Sequence, residues 1–427
     1  MSRREKKKAT RLKKFFYTRE NRSLFLRRSD IICYDNYMEI FFMHVAVNKH
    51  NSSHHHGAIL EHIGAFVKKN AVLCIAAVAA LITCFIVPPD AEYVNYFDFK
   101  TLTCLFCVLA VVCALRNIRF FFALAQKIVQ LFKNTRACIL ALVYITFLGS
   151  MLIANDMALL TFLPLGYFVL SSTGKQKYMA FTFIMQNIAA NLGGMLTPFG
   201  NPQNLYLYTK FNIPTGEFMQ IMLPPFLLAV ALITLCCLFV KKEPLEISGE
   251  EIRLPKARTI AYALLFTLSI VIVFRVISFW IGLIVITIAL LFLDKKALAK
   301  VDYALLFTFV AFFIFAGNMA RISAVQDLFG SLMEKSPLLV SVLSCQMISN
   351  VPSAILLSQF TSDYAALLVG VNIGGVGTLI SSLASLITFR EYTSKTEGGA
   401  GKYIALFSLF NFGFLIVLTA AEWLFFL

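Results

Sequence analysis

Between Arg136 and Lys175 the chain runs for 38 residues with one charged side chain, Asp156. A segment that long without a polar face cannot sit at the surface of a water-soluble domain, and its natural solvent is lipid. A hydrocarbon core of about 30 Å needs roughly 20 residues of helix to cross it. That ruler gives candidate spans near 71–88, 100–116, 179–198, 219–240, 258–275, 277–294, 302–317, 364–387 and 402–424. Composition agrees: 14% of residues are charged, where soluble domains carry about 25%, and 59% are hydrophobic. An ordinary soluble enzyme is excluded, and 42 Phe against 21 Gly excludes a disordered or collagen-like chain.

The net charge of +15 invites a nucleic-acid reading until its location is considered. Residues 1–30 hold twelve Lys and Arg against three acids, so most of the excess lies in a leading tail, and no nucleic acid is expected as a partner. The tail lacks a signal-peptide pattern. Lys68 and Lys69 precede the first apolar run, which places the tail in the cytoplasm by the positive-inside rule. His54-His55-His56 receives no role, and the cysteines, lying in apolar runs without ligand spacing, read as packing residues. No transition-metal site and no cofactor are expected.

Two further stretches have a polar break near the middle and read as hairpins; the arms of the first are long enough that two full crossings are the alternative there, which the symmetry of the halves decides against. Asn155-Asp156 divides residues 137–173 into arms of about 17 residues, and Ser349-Asn350-Val351-Pro352 divides residues 336–362 into arms of about 12. Twelve residues of helix reach about 18 Å, too little to cross. A hairpin at 336–362 also keeps the basic loops 241–258, 295–300 and 388–402 on the side of the tail, as the positive-inside rule favours.

The two halves of the chain share landmarks in one order. Asp98 and Asp302 each open a span; Asn117-Ile-Arg119 and Asn318-Met-Ala-Arg321 each open an amphipathic stretch. The polar tips Ala154-Asn155-Asp156 and Ser349-Asn350-Val351 follow, and then Asn191-Leu-Gly-Gly-Met-Leu-Thr197 and Asn372-Ile-Gly-Gly-Val-Gly-Thr378. Counting crossings puts Asp98 outside and Asp302 inside, which makes the repeats antiparallel, a layout of secondary transporters. The expected fold is an all-α polytopic membrane protein with about nine full spans plus two re-entrant hairpins in an inverted-topology repeat, and broken helices at the site. Its parts are a cytoplasmic tail (1–69), a first span and outer loop (70–97), repeat 1 (98–240), a linker with two connecting spans (241–301) and repeat 2 (302–427). The multi-pass chain is expected in the plasma membrane, N-terminus inside and C-terminus outside.

A helix break persists in lipid only where it is buried in protein or lines a wet cavity, so breaks mark sites. Gly193-Gly194 and Gly374-Gly375 weaken their helices, and Pro198 and Pro202 remove donors. Freed carbonyls there suit a small cation, and half-helix amino ends suit an anion. Asn155, Thr197, Asn201, Ser349, Asn350 and Thr378 are the candidate solute-binding residues. Asp156, Gly200, Asn204, Asn191, Asn372 and Ser381 are the candidate cation-coupling set, holding sodium or passing a proton. A carboxylate inside a membrane is expensive unless paired or functional. Asp156 is therefore assigned to coupling, the alternative being a cap on the second hairpin arm.

These residues resemble the ion transporter superfamily, especially citrate-transporter-like permeases, divalent anion:sodium symporters and arsenite-permease-type proteins. Asn155-Asp-Met-Ala-Leu-Leu-Thr-Phe-Leu-Pro164 is similar to the Asn-Asp tip of the arsenite and citrate branches, Thr197-Pro-Phe-Gly-Asn-Pro-Gln-Asn204 to the family's T-P-x-G-x-P-x-N segment, and Ser349-Asn350 to its second Ser-Asn tip. The resemblance spans residues 70–427. It implies paired hairpins, a mid-membrane site for an anionic solute, flanking sodium or proton sites, and a homodimer with elevator-like transport. The tips depart from the Ser-Asn-Thr of dicarboxylate symporters, so the solute stays open between a small carboxylate and an inorganic oxyanion. The function expected is a cation-coupled secondary transporter of a small anion. The alternatives are a sodium/proton antiporter or an arsenite/antimonite exporter and, more remotely, a membrane sensor or intramembrane enzyme. An enzyme would need a nucleophile with its base or a ligand set within the spans, but all six His precede the first span and no P-loop is present.

Overall fold

A computed structural model describes residues 66–67, 70–245, 252–396 and 398–425. The basic tail and its His triplet lie outside the described residues. The chain divides into two compact units, residues 1–71 and 72–427, and the architecture below is that of the second.

All regular structure among the described residues is helical, apart from one isolated bridge between Asn134 and Pro244. After α1 (Ala71–Ile86), α2 (Phe99–Asn117) is apolar on every face and buries most of its length, so it belongs to the interior of the assembly. The amphipathic α3 (Phe120–Gln130) follows it. Next come α4 (Thr135–Ile153) and α5 (Asn155–Ser172), which fold back on one another, then α6 (Met179–Gly193), α7 (Pro202–Lys210) and α8 (Thr215–Leu238). A linker pair, α9 (Lys256–Val273) and α10 (Phe279–Leu293), packs against α2, and the short α11 (Lys295–Ala299) closes this first part.

The second part runs through α12 (Tyr303–Ala320), the amphipathic α13 (Ser323–Lys335), α14 (Pro337–Ile348) and α15 (Asn350–Leu357). It ends with α16 (Tyr364–Ile373), α17 (Leu383–Lys395) and α18 (Ala400–Phe425). Among the described residues six helices, α2, α4, α8, α9, α12 and α18, are long and apolar enough to cross a bilayer. Only 28% of the apolar window is buried in α8, α9 and α18 against 72% in α2, which puts the three at the lipid face and α2 at the centre. The chain is a polytopic, all-helical membrane protein.

Two expected spans are not continuous. Hydropathy alone predicts helices over 179–198 and 364–387, whereas α6 stops after 15 residues and α16 after 10. At 1.5 Å per residue these reach about 22 Å and about 15 Å, short of the far side. The cause is local. A Cβ on Gly193 would fall on the carbonyl oxygen of Phe147, and one on Gly374 would fall on the side chain of Cys345, so each helix end is pressed against its hairpin where only glycine fits. Beyond these ends, after a 3-10 turn at Gly194–Leu196 in the first half, the chain is irregular until Asn201 and Ser382, both extended, start α7 and α17.

Local geometry recurs in the two halves. Asp98 and Asp302 cap α2 and α12, each accepting from the backbone N–H three residues on. Ala154 turns the first hairpin at φ 64°, ψ 154°, and Ser349 turns the second at φ 76°, ψ 160°. That region of backbone space is essentially reserved for glycine and costs other residues about 1–3 kcal/mol. Two non-glycine residues held there at corresponding places mark both tips as constrained by what surrounds them. The arms differ in length: α4 and α5 have 19 and 18 residues, α14 and α15 have 12 and 8.

Candidate functional site

The hairpin tips and the two helix breaks meet. Thr197 Oγ1 donates to the carbonyl of Met151, three residues before the first tip, at 2.9 Å. Thr378 Oγ1 donates to the carbonyl of Gln346, three residues before the second tip, at 3.2 Å. Each break is thereby fastened to the hairpin of its own half by the same hydroxyl at the same offset. At each tip the asparagine folds onto the helix it begins: Asn155 Oδ1 accepts from the Asp156 N–H and Asn350 Oδ1 from the Val351 N–H, at 3.0 and 2.9 Å.

An asparagine cluster joins the halves. Asn155 Nδ2 donates to Asn191 Oδ1 at 3.2 Å; Asn201 Nδ2 donates to the Asn191 carbonyl and to Asn372 Oδ1, both at 3.3 Å; and Asn372 Nδ2 donates to Asn204 Oδ1 at 2.6 Å. Asn350 closes the group, since a Cβ on Gly375 would lie against Asn350 Nδ2 and Asn191 Oδ1 together. All six asparagines are 4% exposed or less. A buried amide left unpaired costs about 1–3 kcal/mol, so a cluster of this kind holds only when its members satisfy one another. One acceptor stays without a partner among the described residues, Asn201 Oδ1, which faces Gly194 in the first break.

The carbonyls released by the breaks are already engaged, by different means in each half. Asn204 Nδ2 reaches the carbonyls of Gly194, Met195 and Thr197 at 3.1–3.3 Å. In the second half Gln346 Nε2 bonds the carbonyls of Gly374 and Val376, and Ser381 Oγ those of Gly375 and Thr378. Gly200 is placed where a Cβ would meet the Gly194 carbonyl and Thr197 Oγ1, so this glycine lets the break close on itself. Each carbonyl retains a second lone pair for a cation. The Ser349 hydroxyl and the Asn350 N–H both donate to the Ser381 carbonyl, at 3.2 and 3.0 Å. No corresponding bond joins Asn155 to Gly200 among the described residues.

Asp156 lies at the edge of the cluster, one residue from Asn155 and within electrostatic reach of Asp302. Its Oδ1 is buried with no hydrogen-bond partner among the described residues, and the side chain that meets an N–H in the first turn of α5 is that of Asn155.

The sequence reading missed two features. Gln346 staples the second hairpin to its break, but its counterpart by position is the apolar Met151, so comparison of the halves passes over it. Asn187 lies one turn before Asn191, and its amide meets Ser385 Oγ and Asn411 Oδ1 at 3.4 Å, extending the polar core toward α18. Its position on the helix face of Asn191 was the available signal.

With this geometry in view, a family model described as citrate transporter matches residues 58–370. The chain belongs to the citrate transporter family. Among its relatives, an uncharacterized transporter of Methanocaldococcus jannaschii is 32% identical over 330 residues, covering 77% of this chain and 90% of that protein. The inner membrane protein YbiR of Escherichia coli is 30% identical over 284 residues, covering 64% of this chain and 74% of its own. Among solved structures, the YdaH transporter of Alcanivorax borkumensis aligns with a TM-score of 0.45 and 13% identity, covering 78% of this chain and 87% of that one. As a member of the citrate transporter family, the protein is a multi-pass membrane transporter.

Proposed function

We propose that this transporter moves a small anionic solute, a carboxylate or an inorganic oxyanion, across the plasma membrane, coupled to sodium or protons. The N-terminus lies inside and the C-terminus outside, and the two halves form an inverted-topology pair. The observation that carries the reading is the meeting of two tips of matching, strained backbone with two broken helices in one buried asparagine cluster. Helix amino ends at Asn155 and Asn350 and the side-chain amides favour an anion without fixing a full charge beside it. The unpartnered Asn201 Oδ1, the half-engaged carbonyls and Asp156 supply oxygen for a cation. The family's printed description, citrate transporter, agrees with the carboxylate option.

Uptake into proteoliposomes tests the coupling. A radiolabelled carboxylate or sulfate should accumulate when an inward sodium or proton gradient is imposed, and uptake indifferent to both gradients removes the coupling. A second reading, a sodium/proton antiporter, is favoured by the buried, unpartnered Asp156 oxygen. It requires sodium-driven proton flux without added anion, abolished in Asp156→Asn.

A further inference from the structure

Away from the asparagine cluster, at the far end of α7, a cavity of about 350 Å³ opens between that helix and the start of α2. Small-molecule sites begin near this size, about 300 Å³. Lys100, Lys210, Asp98, Tyr206 and Thr209 line it. A second cavity of about 200 Å³ shares Lys100 and adds Arg275. Both Asp98 oxygens are occupied, Oδ1 by the Thr101 N–H and Oδ2 by the Thr101 hydroxyl, as a helix cap requires. Neither lysine belongs to an ion pair among the described residues. Two lysines thus share the first cavity with one carboxylate, and Lys100 shares the second with Arg275.

Arg275 occupies the left-handed cap that ends α9, at φ 65°, its N–H on the Ile272 carbonyl and the Val276 N–H on the Val271 carbonyl. The turn directs the guanidinium over the Tyr208 ring, 4.0 Å from its centroid, with Nη2 on the Tyr208 carbonyl. Its Nε is buried without a hydrogen-bond partner.

We propose that Lys100, Lys210 and Arg275 form an anion-binding vestibule that collects a small soluble oxyanion or carboxylate before it reaches the asparagine cluster. The path is short. Lys210 and Asn204 lie six residues apart on α7, about 9 Å along the helix. Tyr206 stands between them, its hydroxyl 2.8 Å from Ser358 Oγ and its ring against Phe313, as the floor of the vestibule. A cleft lined by one sign of charge with low-dielectric walls concentrates counter-charged solute. The vestibule rests on the anion-transport reading for its purpose, while its existence is a matter of local electrostatics and is tested separately.

The test uses the purified full chain carrying Thr209→Cys on a background in which the ten native cysteines are replaced by serine or alanine, so the new thiol is the one that reacts. Rates are compared for an anionic reagent, sulfonatoethyl methanethiosulfonate, and a cationic one, trimethylammonioethyl methanethiosulfonate. The expected anionic-to-cationic ratio exceeds that of a free thiol on the order of tenfold, falls with Lys100→Gln and Lys210→Gln together, and reaches the free-thiol value when Arg275→Gln is added. Unfolded protein reacts at the free-thiol ratio, so both rates are measured on the monodisperse fraction from size exclusion, and a variant is compared only where its melting temperature matches that of the parent. Sulfate or citrate at constant ionic strength should slow the anionic reagent in neutral detergent. The same anionic oxygens occur on lipid headgroups, so labelling is repeated in nanodiscs of phosphatidylcholine with and without phosphatidylglycerol. Protection by soluble anion in both supports the vestibule; protection by phosphatidylglycerol alone overturns it, as does a ratio that ignores the two lysines. Anion uptake that persists with a flat ratio sinks the vestibule and spares the transport reading.

Discussion

The tip of the first hairpin reads Ala154-Asn155-Asp156 and that of the second Ser349-Asn350-Val351, yet both turn on a non-glycine residue in the same scarce region of backbone space. They differ in what ties them down. The second tip is fastened to its own break by two bonds to the Ser381 carbonyl and by the Gln346 staple, on arms of 12 and 8 residues. The first tip, beyond the Thr197 bond that both halves share, is held to Asn191 of its own half through a single amide, carries an unpartnered carboxylate oxygen, and rides on arms of 19 and 18 residues. The two tips thus share a backbone and differ in the bonds that surround it.

The strongest way to break this comparison is to fill the packing glycines. Gly193→Ala drives a methyl into a backbone carbonyl that cannot yield, and a loss of about 3 kcal/mol is expected from overpacking of this kind. Gly374→Ala meets the side chain of Cys345 first and should cost less. Thermal melting in detergent checks the order, and equal losses would mean the two helix ends are not held in different ways.

Next in size are the tip amides. Asn155→Leu leaves Asn191 Oδ1 without its donor, and Asn350→Leu removes the matching amide. Each should lower uptake on the order of a hundredfold, from about 1–3 kcal/mol of lost pairing plus lost solute contact. Normal uptake in either variant would end the equivalence of the two tips.

Relieving the tip backbone sharpens the comparison in the opposite direction. Ala154→Gly should stabilise the protein by about 1 kcal/mol, since it removes strain and no hydrogen bond. Ser349→Gly should gain less, because the Ser349 hydroxyl bonds the Ser381 carbonyl. Paired melting curves decide this.

The smallest effect lies outside the membrane. Lys175 and Lys177, each 2.6 Å from a Glu243 oxygen, hold its carboxyl down from 4.5 to about 2, and so fasten the loop after the first hairpin to the chain beyond α8. A carboxyl lowered in the folded state stabilises it above the unfolded pKa and loses that contribution as pH falls toward the folded one. Acid melting between about pH 4.5 and pH 2 should therefore be flatter in Glu243→Gln than in the parent. Identical slopes would show that this anchor contributes nothing.

Much of the scaffold was legible because lipid makes hydropathy informative and because the halves repeat their landmarks. Asp98 and Asp302, Asn155 and Asn350, Thr197 and Thr378 stand out in sequence, and the geometry gives each pair the same bond. What hydropathy could not show was where a helix stops. Residues 179–198 and 364–387 carry no charge and read as spans by hydropathy; the Gly-Gly pairs marked them as weak, but that Gly193 and Gly374 press against neighbouring arms at the helix ends is visible only in the structure. Gln346 was invisible to the repeat for a related reason. Each half satisfies the same freed carbonyls with a side chain from a different place, so function is preserved in geometry and not in matching residues.

The central claim is that the two tips converge in one buried cluster, and pairwise cross-linking tests it most directly. Asn155→Cys and Asn350→Cys are introduced together and treated in membranes with a short bifunctional methanethiosulfonate. The account predicts an intramolecular cross-link between positions 155 and 350, slowed by impermeant thiol blockers from neither face alone. Rapid blocking of the two thiols from opposite faces, with no cross-link, would contradict it.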